Sequence, residues 1–213
     1  DAGTHMPKLD KIVAKITDKP VSLILTHGHG DHVGAAGCFD ELWVNTEDKG
    51  MLRNYKGTIH HIENGQRFDL GGRVLEAFYT PGHTPGSTTF LEVGTDTGYS
   101  GDAFGNGNLL VMGDFKTLIK TCRESYDYFS ENGYTKFYNG HFWGDNFETL
   151  ERIKEIQDIA QRYEVARLLT DKKNYNEITK ATGASSTTIT RVNKCLMYGN
   201  EGYKMVIERT KKD

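Results

Sequence analysis

The sequence predicts an α/β body over residues 1–150 followed by a small all-α segment over residues 151–213. Three observations carry that reading. In the first part, short apolar runs rich in β-branched and aromatic residues alternate with helical periodicity, separated by Gly and Asp clusters. Beyond "NGHFWGDN" (139–146) no convincing strand pattern remains, and apolar residues recur at helical spacing. The charge balance changes at the same place: residues 1–150 carry 13 Lys and Arg against 20 Asp and Glu, whereas residues 151–213 carry 13 against 9. An acidic body behind a mildly basic tail suggests two functional units, the second in contact with nucleic acid.

Taken in order, "PKLDKIVAKIT" (7–17) places Leu9, Ile12, Val13 and Ile16 on one face of an amphipathic helix. "VSLILT" (21–26) reads as a strand buried on both faces, and "ELWVNT", "RVLEAFYT" and "STTFLEVG" as further strands. "GNGNLL" (105–110) reads as a loop, and "FKTLIKTCRESYDYFSENG" (115–133) as a helix. From about Asn146 a long helical stripe, Phe147, Leu150, Ile153, Ile156, Ile159, Ala160, Tyr163 and Ala166, predicts core packing. The boundary between the two units falls near 147–152, inside one continuous helix.

Apolar content of 37% and charged content of 26% are those of an ordinary soluble protein. No run approaches the ~18 apolar residues of a membrane helix, and the start "DAGTHMPKLDK" has no apolar stretch like that of a secretory leader. Cys38, Cys122 and Cys195 are odd in number and far apart, which predicts buried small residues in a reducing, cytoplasmic setting rather than a disulfide framework.

The densest chemistry lies in "THGHGDHVG" (26–34), where His27, His29, Asp31 and His32 fall within six positions directly after a predicted strand. A rigid strand end followed by a loop lets His27 and His29 face one metal while Asp31 and His32 turn toward a second. Imidazole with carboxylate suits Zn²⁺, and Fe or Mn are also compatible. Downstream, "TPGHTPGS" supplies His83, "YSGDAFG" supplies Asp102 and "YNGHFWG" supplies His141, each just after a strand-like run. The C-terminal ends of strands are where α/β active sites collect.

These motifs, in the order "DAG", "THGHGDH", "TPGHTPGS", "SGD" and "NGH", resemble the metallo-β-lactamase-fold hydrolases over about residues 1–150. The resemblance implies an αβ/βα sandwich and two divalent cations, Zn²⁺ first, with Fe or Mn as alternatives. His27, His29 and His83 would bind one ion, Asp31, His32 and His141 the other, and Asp102 would bridge them. A hydroxide between the ions would attack an ester, thioester, lactone or phosphodiester of a small-molecule substrate, with Asp31 orienting it or accepting its proton. Asp102 stands where enzymes that destroy β-lactams usually carry Cys or Ser, which points to the glyoxalase-II, lactonase and phosphodiesterase side of the superfamily. Phe104, Asn106, Phe142 and Trp143 are expected to line the mouth. The chain starts at Asp1-Ala2-Gly3, so roughly half of one sheet is expected to be absent ahead of it, leaving apolar faces exposed.

"NYNEITKATGASSTTITRVNKCL" (174–196) fits a helix-turn-helix, with Gly183 at the turn and Ile178, Ile189, Val192 and Leu196 as anchors. Its second helix would turn Ser186, Thr187, Thr190, Arg191 and Lys194 outward, toward phosphates and base edges of duplex DNA. With "QR", "TGAS" and "TITRVN", residues 155–210 resemble the Trp repressor superfamily, especially its small stand-alone bacterial regulators. The resemblance implies a DNA-binding tail and admits a homodimer. It also matches Arg162 and Arg191 to corepressor contacts, while "VNKCLMYG" departs from the tryptophan-binding pattern. The leading expectation is therefore a metal-dependent hydrolase with a DNA-binding-type tail. The alternatives are a DNA-binding regulator whose metal domain is inactive or sensory, and an artificial chimera with neither activity.

Overall fold

The computed structural model describes residues 1–105, 110–141 and 146–210. Strands β1 (Leu23–Ile24), β2 (Glu41–Asn45) and β3 (Thr58–Ile62) form a parallel sheet in that order. A second sheet runs β4 (Arg67–Asp69), β5 (Val74–Tyr79), β6 (Thr88–Glu92), β7 (Thr97–Gly101), β8 (Lys136–Asn139) and β9 (Phe147–Thr149). It is antiparallel except for the parallel pair β7–β8.

The sheets face each other through Ile62, Ala77 and Phe90, with Ile24, Trp43, Phe68, Leu75, Tyr79 and Tyr99 packed around them. On the outer face of the first sheet, Leu23, Leu25, Leu42 and Val44 pack with Leu9 of α1 (Leu9–Val13) and Val33 of α2 (Gly30–Val33). On the outer face of the second, Leu91 and Phe137 pack against α3 (Phe115–Glu131) and α4 (Leu150–Thr170) through Leu118, Cys122, Phe129, Ile153 and Ile156. Alternation along each strand sends one set of side chains to each face, so the result is an αβ/βα sandwich.

Three expectations about elements are corrected. Phe147–Thr149 is a strand, because its backbone completes the edge of β8; three residues are too few to show alternation. The first helix stops at Val13, and both Ile12 within it and Ile16 beyond it are exposed. In the long stripe, Ile153, Ile156, Ala160, Tyr163 and Ala166 are buried as expected, but Ile159 is 63% exposed. Strands β3 and β4 escape a reading by pattern, since "TIHHI" breaks alternation with adjacent histidines and "RFD" is too short.

The helical part continues from α4 into α5 (Tyr175–Thr182), α6 (Ser186–Tyr198) and α7 (Gly202–Thr210). Asn174 and Glu177 close a capping box at the start of α5, Gly183 ends it in the left-handed region (φ 69), and the Ser185 side chain caps α6. Ile178, Ile189 and Val192 are buried with Tyr163, Val165 and Ala166 of α4. One helix thus belongs to two cores: the first half of α4 packs on the second sheet and α3, and the second half packs on α5 and α6. Phe115 at the start of α3 touches both cores and lies 4.4 Å, ring to ring, from Tyr163. The turn is held from the sandwich side, where the Thr182 carbonyl accepts bonds from Arg123 of α3 (3.3 Å) and Gln161 of α4 (3.0 Å).

Of the cysteines, only Cys122 is buried; Cys38 is half-buried and Cys195 exposed, against the expectation that all three would be interior. Among the described residues no helix is long and apolar enough to cross a membrane. Because Ile153 sits with no exposed surface where α4 meets the sheet, Ile153→Ala is expected to cost about 2–4 kcal/mol in urea unfolding. An unchanged midpoint would show that this half of α4 contributes nothing to the core.

Candidate metal centre

Four strand ends bring the seven predicted ligand residues to one edge of the sandwich. His27 follows β1, His29 caps α2, and Asp31 and His32 lie within that short helix. His83 lies in the turn between β5 and β6, Asp102 directly follows β7, and His141 follows β8. The parallel register pairs Gly101 with Asn139, which sets Asp102 and His141 side by side at the two strand ends. Gly140 makes that approach possible, since a Cβ there would collide with Asp102 Oδ1 and the His32 ring.

The ligand atoms form two groups: His27, His29 and His83, and Asp31, His32, Asp102 and His141, each set lying within 4.8 Å of one another. Asp102 faces both. Its Oδ2 is 3.7 Å from His83 Nε2 and 3.1 Å from His141 Nε2, and its Oδ1 is 3.4 Å from His32 Nε2. Asp31 Oδ2 is 3.2 Å from His141 Nε2, and with 43% of its side chain exposed it stands on the solvent side of the pair. The floor, by contrast, is closed: His27, His32 and His83 are all buried.

The buried rings are turned by partners on their Nδ1 side. His83 Nδ1 meets the Leu110 carbonyl at 2.8 Å, an acceptor only, so Nδ1 carries the proton and Nε2 is left with its lone pair. His32 Nδ1 meets Asp1 Oδ2 at 2.8 Å. The Thr26 hydroxyl donates to Asp1 Oδ2 (2.8 Å) and can therefore accept from His27 Nδ1 (3.1 Å). Asp1 also receives the Thr26 N–H at 2.7 Å, so the first residue of "DAG" locks the strand end that precedes His27. Its hydrogen-bonding role went unassigned in the sequence, where only its motif position stood out.

Burial, with the charges of His32 and His83, lowers His27 from 6.5 to about 2. Burial likewise lowers His83, although its bond to Leu110 pulls the other way. Burial raises Asp102, but closeness to His32 and the charges of His32, His141 and His27 outweigh it and hold the carboxyl at about 2. Near neutral pH the site therefore offers unprotonated His27 and His83 and a carboxylate at Asp102.

This donor set fits divalent cations. His27 Nε2 and His83 Nε2 face each other at 3.2 Å, close to the roughly 3.3 Å between two nitrogens bound tetrahedrally to one Zn²⁺. His32 Nε2 and Asp102 Oδ1 are buried and without a hydrogen bond, though 3.4 Å apart. Buried polar atoms without partners are costly, and a cation between them would relieve that cost.

Elsewhere, Phe104 is fully buried against Phe129 and Phe137 and does not line a mouth, because its ring completes the core under α3. Asn106, Phe142 and Trp143 lie outside the described residues. On α6, Ser186, Thr187, Thr190, Arg191 and Lys194 are all exposed, opposite the buried Ile189 and Val192. Arg162 lines an apolar cavity of about 690 Å³ with Phe115, Ile159, Tyr163 and Tyr203; Arg191 is not among the residues lining it.

The family model described as the metallo-beta-lactamase superfamily matches residues 1–141, and that of the Trp repressor protein matches residues 137–211. The uncharacterized protein YerC of Bacillus subtilis (strain 168) is 51% identical over 65 residues, which cover 30% of this chain and 62% of YerC, less than two thirds of its length. The hydroxyacylglutathione hydrolase GloC of Haemophilus influenzae is 28% identical over 148 residues, covering 58% of this chain and 70% of GloC. Among solved structures, the metallo-beta-lactamase from Pontibacter korlensis superposes with a TM-score of 0.58 at 16% identity, over 76% of this chain and 80% of that one. TTHA1623 in a di-iron-bound form gives a TM-score of 0.54 at 22% identity, over 69% and 82%. Both likenesses establish the fold.

The depressed His27 and His83 set an acid limit for the metal-free protein. A histidine whose folded pKa lies below its unfolded 6.5 contributes fully above pH 6.5 and loses that contribution as pH falls below it. The chelator-treated protein is expected to melt lower at pH 5.5 than at pH 7.5, His27 alone contributing on the order of 1 kcal/mol. Equal melting temperatures at the two values would contradict this.

Proposed function

The chain belongs to the metallo-beta-lactamase superfamily over residues 1–141, and from that premise we propose a hydrolase that uses two divalent cations, with a DNA-contacting unit behind it. The proposed division places the hydrolase in residues 1–150 and the Trp repressor-like helix-turn-helix in residues 151–213. The bond cleaved is an ester, thioester, lactone or phosphodiester of a small molecule. An acyl thioester is the first to test, given the likeness to a hydroxyacylglutathione hydrolase. The observation that carries the reading is the convergence of five imidazoles and two carboxylates from four strand ends into two groups, with Asp102 of the second group also facing His83 of the first.

His27, His29 and His83 would hold one ion, Asp31, His32 and His141 the other, with Asp102 between them. When bound, such a pair supplies an activated water at neutral pH and polarises the scissile bond; Zn²⁺, Fe and Mn all suit these donors. The chain's own residues do the rest. Thr26, Asp1 and Leu110 aim the Nε2 atoms of His27, His32 and His83 inward. Asp31, on the solvent side, is placed to orient the attacking water or take its proton. Neither hydroxyl nor thiol nucleophile is needed, and burial pushes the Cys122 thiol up to about 12, out of use as one.

The exposed polar face of α6 favours a second role, in which the hydrolase half serves a DNA-binding regulator. Ser186, Thr187, Thr190, Arg191 and Lys194 would meet the major groove and its phosphates.

Elemental analysis of the metal-replete protein is expected to give two ions per chain. Asp102→Ala should lower hydrolysis of an acyl thioester by on the order of 100-fold or more. A folded, metal-replete preparation without stoichiometric metal would end the hydrolase reading. For the helical unit, duplex binding should weaken steeply with salt and fall further in Arg191→Ala; affinity untouched by that change would exclude α6 as the DNA-contacting helix.

A further inference from the structure

We propose that Asp48 is the positioning residue for the three-histidine half of the centre. The proposal rests on the two-cation reading above. Asp48 lies in the 3-10 turn Thr46–Met51 after β2, away from every strand end that carries a ligand. It is nonetheless fully buried, at 0% exposure. Its Oδ2 accepts bonds from the Gly28 N–H at 2.9 Å and the Thr84 hydroxyl at 2.6 Å, and its Oδ1 from the Gly86 N–H at 2.8 Å.

All three donors belong to the two segments that carry His27, His29 and His83. Gly28 stands between the first two histidines, and Thr84 directly follows the third. One carboxylate therefore joins the loop after β1 to the turn between β5 and β6. A Cβ on Gly86 would sit 2.6 Å from Asp48 Cγ, so the turn can close on the carboxylate only with glycine there. Thr84 N–H in turn donates to Ser87 Oγ at 3.0 Å, which stiffens the same turn.

Two further facts separate this from ordinary packing. Among the described residues no Lys, Arg or His makes an ion pair with Asp48. A carboxylate buried without a counter-ion is an expensive way to fill space, where an apolar residue of similar size serves stability at least as well. Its bonds are also confined to one half of the centre. Asp1, by contrast, serves both halves, meeting His32 Nδ1 directly and His27 through the Thr26 hydroxyl. Removing Asp48 should consequently loosen the His29 and His83 segments against each other, while the Asp1–Thr26 and Thr88–Thr26 bonds still hold the strand end before His27. It should leave Asp31, His32, Asp102 and His141 in place.

Replacement by Asn keeps the shape but puts an NH₂ where one of three donors now points, so at least one bond becomes donor against donor. Thr84→Val keeps the volume and the carboxylate, deleting only the Thr84 hydroxyl's bonds to Asp48 and to Ser87 Oγ (2.8 Å).

The test is titration of the metal-free, full-length chain with Zn²⁺ by calorimetry, with each binding event assigned by His29→Ala and Asp31→Ala. Wild type is expected to show two events. In Asp48→Asn the event lost in His29→Ala should weaken by about 10- to 100-fold while the other changes little. Thr84→Val should move the same event in the same direction by less. Two events of wild-type affinity in Asp48→Asn would overturn the proposal and leave the two-cation reading standing. Both events weakened alike, with a lowered melting temperature, would reassign Asp48 to general stability and also overturn it. If Asp48→Asn does not fold, Thr84→Val decides by the same comparison. Fewer than two events in wild type would remove the two-cation reading and this proposal with it.

Discussion

Five imidazoles and two carboxylates gathered into two adjoining groups are the constraint on which the rest of this structure depends. Imidazoles that share a pocket cannot all be protonated, and burial makes each added charge costlier. The protein answers in two ways. Burial and neighbouring charge keep His27 and His83 unprotonated, and Asp102, held as a carboxylate despite burial, stands between the groups as a shared negative centre. Acceptors on the outer nitrogens then fix which ring atom faces inward. The cost of gathering these groups is met by that shell, and what remains facing the middle is a set of lone pairs suited to cations.

The sandwich explains why such gathering is possible. Strand ends are rigid, and the ends of β1, β5, β7 and β8 come from two sheets that face each other. A hydrogen bond from Thr88 N–H to the Thr26 carbonyl ties the sheets where the site begins. The parallel register of β7 and β8 does the same for Asp102 and His141. A slip of one residue in either place would turn one of these side chains to the opposite face.

The helical unit is joined to this scaffold through shared packing. Because α4 gives its first half to one core and its second half to the other, and Phe115 touches both, the two cores share structural members. The Arg123 and Gln161 bonds to Thr182 bring the turn of the helix-turn-helix under the same hold. The exposed face of α6 is thereby carried on a support that begins at the outer layer of the αβ/βα sandwich.

Much of this was legible in the chain. The α/β class, the long helices, the Gly183 turn and the outward set on α6 follow from periodicity and turn chemistry, which are local; the sandwich followed only from the resemblance that the five motifs carry. The seven ligand-type residues announced themselves because His and Asp clustered after apolar runs are rarely accidental. The short strands β3, β4 and β9 were not legible, since pairing with a neighbouring strand, not their own composition, makes them strands. Ile159 kept the helical stripe yet lies outside the core, because a stripe wider than the surface it meets leaves a residue over.

The sequence by itself determined which atoms are available for chemistry and roughly where each follows a strand, because those depend on residue type and local spacing. Only the tertiary structure decided that Asp1 turns His32, that Leu110 sets the His83 tautomer, and that Asp48 joins the loops that carry His27, His29 and His83. Each of these is a hydrogen bond between residues 20 or more apart in the chain, and such partners are chosen by how the sheets stack, which no local pattern encodes.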